Sequence, residues 1–168
     1  MADRDNHYEA AFEEYVRQRR IPYIAVEEAK RALFAEVRLK SLDFIVYSPQ
    51  GRNLLVDVKG RRFPSGAKQR RRWENWSTAE DVESLERWQQ VFGPDFRSVL
   101  VFAYNIEAPE FGEGFVDRLS HRGREYGFVG VALEDYRDHM HVRSPRWGTV
   151  AMAGSKFREL RRPLSAFL

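Results

Sequence analysis

Residues 41–59, SLDFIVYSPQGRNLLVDVK, constrain the fold more than any other stretch of the chain. Two apolar runs, SLDFIVYS and NLLVDVK, flank PQGR, whose proline and glycine are turn residues, so the pattern predicts a hairpin of two antiparallel strands. A turn centred on Gln50 sets Tyr47 opposite Asn53, Ile45 opposite Leu55 and Asp43 opposite Asp57. Residues i and i+2 of a strand share a face, so Asp57 and Lys59 lie with Leu55, while Val56 and Val58 fill the other side. Two carboxylates therefore meet across the ladder inside otherwise apolar strands. Like charges facing each other are destabilising, and an unpaired buried carboxylate costs roughly several kcal/mol. A positive charge is needed between them. Lys59 supplies part of it, and a divalent cation held by oxygen ligands would supply the rest. The same residues also read as a structural Asp–Lys pair at a strand end, with Asp43 exposed at the hairpin mouth, because an isolated D-x-K is short and common.

The flanking segments indicate what the hairpin packs against. Tyr8, Ala11, Phe12, Tyr15 and Val16 recur at i, i+3, i+4, i+7 and i+8, one apolar stripe, and Pro22 follows, which predicts a helix over about 5–20. IPYIAVEE reads as a strand, and AKRALFAEV as a short helix or an irregular connection. Ser77 followed by Glu80 is a capping-box pattern, and Val82, Leu85, Trp88 and Phe92 form the buried stripe of a second helix that stops at Gly93-Pro94. RSVLVFAYNI is a fourth strand and FVGVAL a fifth. EAPEFGEGFVDRLSHRGREYG reads as a surface excursion around a short helix, LEDYRDHM as one or two helical turns, TVAM as a short strand and SKFRELRR as a last helical segment. The order α-β-β-β-α-β with C-terminal additions predicts an α/β (α+β) mixed sheet flanked by helices, because the hairpin is antiparallel whereas a strand–helix–strand crossover favours parallel pairing.

The 168 residues, 43% hydrophobic and 14% aromatic, are expected to form a single domain over 1–168. With no cysteine, any metal must be held by carboxylate, histidine or backbone oxygen. No apolar run reaches the roughly 20 residues needed to cross a bilayer, and MADRDNHYEA does not resemble a signal peptide, so no membrane partner and a cytoplasmic location are expected. The net charge of +3 is unevenly placed: KGRRFPSGAKQRRR, residues 59–72, holds seven basic residues and no acidic one. Arg61, Arg62, Lys68, Arg70, Arg71 and Arg72 form a local positive field suited to a phosphate backbone, with Trp73 and Trp76 beside it to stack on bases. The alternative is a solvated basic loop.

An amphipathic helix carrying carboxylates, a strand, an aspartate heading a second strand, D-x-K closing a third, then a helix and a fourth strand together resemble the PD-(D/E)XK nuclease superfamily, whose core is restriction-endonuclease-like. The resemblance spans about residues 7–106, leaving 107–168 as an elaboration over the sheet edge or a partner surface. It implies that Asp43 and Asp57 bind Mg²⁺ or Mn²⁺, that Lys59 orients or activates the attacking water, and that an acidic residue of the first helix completes the site. Leu42 stands where the superfamily's proline would be. HYEAAFE, residues 7–13, matches the HYExAFE signature of a family of uncharacterised bacterial proteins. Glu9 and Glu13 lie one turn apart at the edge of the apolar stripe, and Glu9, about eleven residues before the helix end, is the preferred third ligand; Glu13 and Glu14 read as a solvated acidic face. Glu28-Ala29-Lys30 is a competing E-x-K, but its neighbours favour helix, where i and i+2 diverge.

The implied activity is metal-dependent hydrolysis of phosphodiester bonds in nucleic acid, DNA before RNA, with a homodimer expected only by analogy with enzymes of this fold that cut both strands. A nuclease-fold binding module without activity and a hydrolase of another phosphate ester are the alternatives. His7, His121, His139 and His141 are scattered and make no zinc pattern. Neither a G-x-S-x-G nor a Walker loop is present. Trp88 belongs to a core stripe.

Overall fold

The computed structural model describes residues 6–26, 40–65 and 72–168. The first helix, α1 (His7–Gln18), starts where the Asn6 side chain accepts a hydrogen bond from the Tyr8 N–H, satisfying one of the orphan donors of the first turn. It buries Ala11, Phe12, Tyr15 and Val16, as the periodicity predicts. Strands β1 (Tyr23–Ala25), β2 (Phe44–Val46) and β3 (Asn53–Phe63) follow. The AKRALFAEV segment and Glu28-Ala29-Lys30 lie outside the described residues.

Strand β3 is longer than expected. It continues through Gly60, Arg61 and Arg62 to Phe63, paired in parallel with β5 (Phe96–Ile106) from Asn53↔Phe96 to Phe63↔Ile106. The crossover between them is α2 (Ala79–Phe92). Its N-cap is Thr78, whose hydroxyl accepts from the Asp81 N–H, one residue later than the predicted Ser77. Ser77 and Thr78 form β4, which pairs with β9 (Thr149–Met152), so tertiary pairing holds Ser77 in extended backbone and moves the cap.

The chain beyond residue 106 joins the same sheet. β7 (Arg124–Ala132) lies antiparallel to β5, β6 (Asp117–His121) pairs with β7, and β10 (Arg162–Pro163) closes the far edge. Among the described residues the strand order is β1-β2-β3-β5-β7-β10, with β6 also on β7. A 3-10 helix over Pro109–Gly114 falls where the sequence places a short helix, but the excursion expected around it contains strand β6. The β6–β7 turn is Arg122-Gly123, both at positive φ (49° and 75°), the backbone a two-residue hairpin turn needs. The DRLSH strand itself has few β-favouring residues to announce it. After α3 (Leu133–His139), β8 (Met140–Ser144), β9 and β4 form a smaller sheet, and α4 (Gly154–Leu160) leads back to β10. His141 is thus a strand residue, and His139 bonds the Asp135 carbonyl.

Two apolar layers enclose the main sheet. Phe12 and Tyr15 of α1 pack with Phe44, Val56, Val101 and Phe128 on one face; Val82 and Leu85 of α2 pack with Leu55, Leu100, Phe102 and Tyr136 on the other. No helix among the described residues is long and apolar enough to cross a membrane.

The glycine of DVKG has a packing reason. A Cβ built on Gly60 would fall inside the Tyr8 ring, so the first turn of α1 rests directly on the β3 backbone. Gly60→Ala should push Tyr8 and its turn away, costing roughly 1–3 kcal/mol as overpacking does. A thermal melt checks this; an unchanged Tm would mean that the ring moves aside freely.

Candidate active site

The hairpin register agrees with the sequence: Phe44↔Val56, Ile45↔Leu55 and Val46↔Leu54. Asp43 stands one residue before β2, its N–H donating to the Val56 carbonyl at 2.9 Å. Its Oδ2 accepts from the Val58 N–H at 2.7 Å, which folds the carboxylate back along β3 toward Asp57. Lys59 shares the Asp57 side of the strand, with its Nζ 3.0 Å from Asp57 Oδ2. The structure thus brings together Asp43, Asp57 and Lys59.

The environment decides how these groups are charged. Burial, the charge of Asp57 and then that of Glu9 push Asp43 up to about 8, against the Val58 hydrogen bond. Burial also raises Asp57; Lys59 opposes the shift and Asp81 adds to it. For Lys59, burial works against the charge, yet the carboxylates of Asp57 and Asp81 outweigh it and hold the ammonium above the ordinary lysine value. Near neutral pH Asp43 holds a proton and Lys59 is a cation.

Glu9 lies in the first turn of α1, accepts from Asn6 Nδ2 at 2.9 Å, and is near enough for its charge to act on Asp43. Glu13 instead accepts from the Tyr23 hydroxyl at 2.8 Å, and Glu14 from Gln18. Of the helix carboxylates, Glu9 is the one turned to the hairpin. His7 is tied through Nδ1 to the Tyr126 hydroxyl, 2.8 Å away.

Asp81 was not anticipated. From the first turn of α2 its Oδ2 accepts from Lys59 Nζ at 2.7 Å, while Oδ1 lies 3.0 Å from Lys40 Nζ. Asp57, Lys59 and Asp81 side chains are only 13%, 15% and 14% exposed, so the pairing is shielded from solvent. Burial would raise Asp81, but Lys59, helped by Thr78 and Lys40, holds it down at about 2. The signal in the sequence is its place three residues after a capping Thr78; a cap at Ser77 would put Glu80 in that position instead. Because its folded pKa lies below the unfolded carboxylate value, the stability it contributes is present above about pH 4 and is lost as pH falls toward 2. Asp81→Asn should therefore cost about 1–3 kcal/mol at pH 7 and almost nothing near pH 2. Urea unfolding at both pH values checks this; an equal deficit at both would make the loss one of packing.

The basic residues divide. Arg61, expected to contact a nucleic-acid backbone, is instead an inward residue of β3, 9% exposed; it donates to the Gly60 and Trp76 carbonyls and stacks 3.7 Å from the Trp76 ring centroid. The physical reason is the extension of β3, which carries position 61 to the same face as 57 and 59. Arg62 points to solvent and pairs with Glu107 at 3.2 Å. Arg72 is exposed, and Lys68, Arg70 and Arg71 lie outside the described residues. Trp73 is half-buried, its ring 4.6 Å from that of Phe115 and 4.7 Å from that of Phe63.

No cluster of three or more His, Asp or Glu residues is disposed to hold a metal ion among the described residues. Two adjacent carboxylates whose ionised forms repel each other nevertheless fit one hard divalent cation, with water completing its shell, as magnesium commonly requires.

A solved structure of Hjc, a Holliday junction resolvase from the archaeal hyperthermophile Archaeoglobus fulgidus, is similar to this chain with a TM-score of 0.52 over 92% of each chain, at 11% identity. The chain has the restriction-endonuclease-like fold. The likeness extends well past residue 106, in keeping with the strands that residues 117–132 add to the sheet. No family model matches the sequence, and no curated protein matches it.

Proposed function

We propose that the protein is a metal-dependent nuclease that hydrolyses phosphodiester bonds, DNA before RNA, with its active site at Asp43, Asp57 and Lys59. The observation that carries this reading is the pair of adjoining carboxylates at the hairpin with an ammonium on the same face. The fold shared with a Holliday junction resolvase supports it. Asp43 and Asp57 would hold Mg²⁺ or Mn²⁺, with Glu9 joining directly or through water, and the ion would supply Lewis-acid stabilisation of charge on the phosphoryl group. Lys59 works as a cation and not as a base, because its neighbours keep it protonated. Two of its three N–H donors go to Asp57 and Asp81, which leaves the third for a phosphate oxygen where negative charge develops. Arg62 and Arg72, with Lys68, Arg70 and Arg71, would hold the backbone on either side. A homodimer that cuts both strands of a duplex remains part of the proposal.

A second reading rests on the same contacts. Lys59 held by both Asp57 and Asp81, without a third donor gathered around the carboxylates among the described residues, suits a module that binds nucleic acid without cutting it. Titrating Mg²⁺ and Mn²⁺ against a panel of single-stranded, duplex and branched DNA and RNA separates the two. Metal-dependent cleavage is expected; binding without cleavage on every substrate would favour the module.

A further inference from the structure

Between the Arg72–Trp76 segment, β8, β9 and α4 lies a cavity of about 430 Å³ that the proposed chemistry does not use. Arg72, Trp73, Trp76, Arg143, Arg158 and Arg161 line it, along with backbone and side chains of β9 and the start of α4. Among the described residues none of these four arginines makes an ion pair with a carboxylate, and Glu74 is the one acid in the lining. Four arginines line one space, and Arg158 is close enough for its charge to act on Arg161, whose ionisation burial already disfavours. An anion entering the cavity relieves the repulsion between these two.

The aromatic lining narrows the ligand further. Arg161 lies 3.6 Å over the Trp73 ring centroid, and Trp76 carries Arg61 at 3.7 Å and Arg143 at 5.4 Å. Flat cations alternating with indole rings suit a planar aromatic group joined to an anion. The volume lies within the roughly 300–1,000 Å³ of small-molecule sites and leaves room for more than a phosphate. Arg61 links the cavity to the site, since it leaves β3 two residues after Lys59, on the same face, and bonds the Trp76 carbonyl. We infer that this cavity is a nucleotide-binding pocket that takes a phosphate on its arginines and the attached base beside the Arg161–Trp73 and Arg143–Trp76 stacks. Resting on the nuclease reading, it assigns the pocket to one nucleotide of the strand that reaches Asp57 and Lys59.

Tryptophan fluorescence of full-length Asp57→Asn protein, which should bind without cutting, tests the inference. Probes are a nucleoside 5′-monophosphate, the matching nucleoside, inorganic phosphate and a short single-stranded oligonucleotide. The monophosphate or the oligonucleotide should quench fluorescence with at least tenfold higher affinity than the nucleoside or phosphate, and Arg143→Ala/Arg158→Ala, with an unchanged Tm, should weaken that binding at least tenfold. An oligonucleotide response with this arginine dependence assigns the pocket to the strand; a response to the monophosphate alone assigns it to free nucleotide. Absence of quenching by both, or binding indifferent to the arginine pair, overturns the pocket. Cleavage by the wild type is scored separately: cleavage without pocket binding sinks only this inference, and pocket binding without cleavage sinks only the nuclease reading.

Discussion

Asp57→Asn is expected to lower metal-dependent cleavage by roughly 10³-fold or more, the scale on which removal of a central catalytic group acts. The substitution keeps the shape of the side chain and removes its charge. Asp57 is the residue through which the site is joined, since it neighbours Asp43 and pairs with Lys59 at 3.0 Å. Stability should change little, because relief of the repulsion with Asp43 offsets the weakened bond to Lys59, and Lys59 keeps Asp81 at 2.7 Å. Lys59→Ala should reduce turnover by about 10²–10³-fold while largely sparing metal binding, since it removes a charge donor and no oxygen ligand. Single-turnover cleavage and metal-induced shifts in Tm, measured for wild type and both variants, check these outcomes. Undiminished cleavage by Asp57→Asn would place the active site elsewhere, and a wild type that neither cuts nor gains stability from metal would favour the binding module.

Asp43→Asn should raise stability at alkaline pH, with a marked pH dependence. With its folded pKa pushed up to about 8, Asp43 retains a proton that the unfolded chain has already lost above about pH 4. Metal-free wild type should therefore lose stability as pH rises from about 4 to about 8 and level off beyond it, by an amount on the order of a few kcal/mol. Asparagine cannot ionise, its carbonyl can accept from the Val58 N–H as Asp43 does, and its amide can donate to Asp57. The variant should accordingly lack this decline and be the more stable protein at pH 8 without metal. Added Mg²⁺ or Mn²⁺ should reverse the ranking, because a cation compensates two ionised carboxylates and gains less from one. Chemical unfolding between pH 5 and 9, with metal and with chelator, measures both effects. A wild-type curve that is flat over this range would show that Asp43 is ionised throughout and not crowded by its neighbours.

How far these residues were legible depended on how local the information is. The hairpin could be read because a short turn fixes register, and register with the two-residue repeat of a strand places Asp43 beside Asp57 and Lys59 on the Asp57 face. The α1 stripe and the β3–α2–β5 crossover were likewise written in periodicity and connection length. Strand β6 was not, because DRLSH becomes a strand through its partner β7 and not through its own preferences.

What the sequence by itself determined was therefore the set of groups that must meet on one hairpin: two aspartates, a lysine, and a helix carrying Glu9. Tertiary structure alone decided what surrounds them. Pairing of β4 with β9 displaced the α2 cap to Thr78 and brought Asp81 onto Lys59; extension of β3 along β5 turned Arg61 inward beneath Trp76. Packing of Tyr8 on Gly60 set the first turn of α1, and with it Glu9, against the strand. Each of these contacts joins residues far apart in the chain, and no local pattern encodes the partner; the physical reason is that burial and long-range pairing select among backbone and side-chain states that local preferences leave nearly equal in free energy.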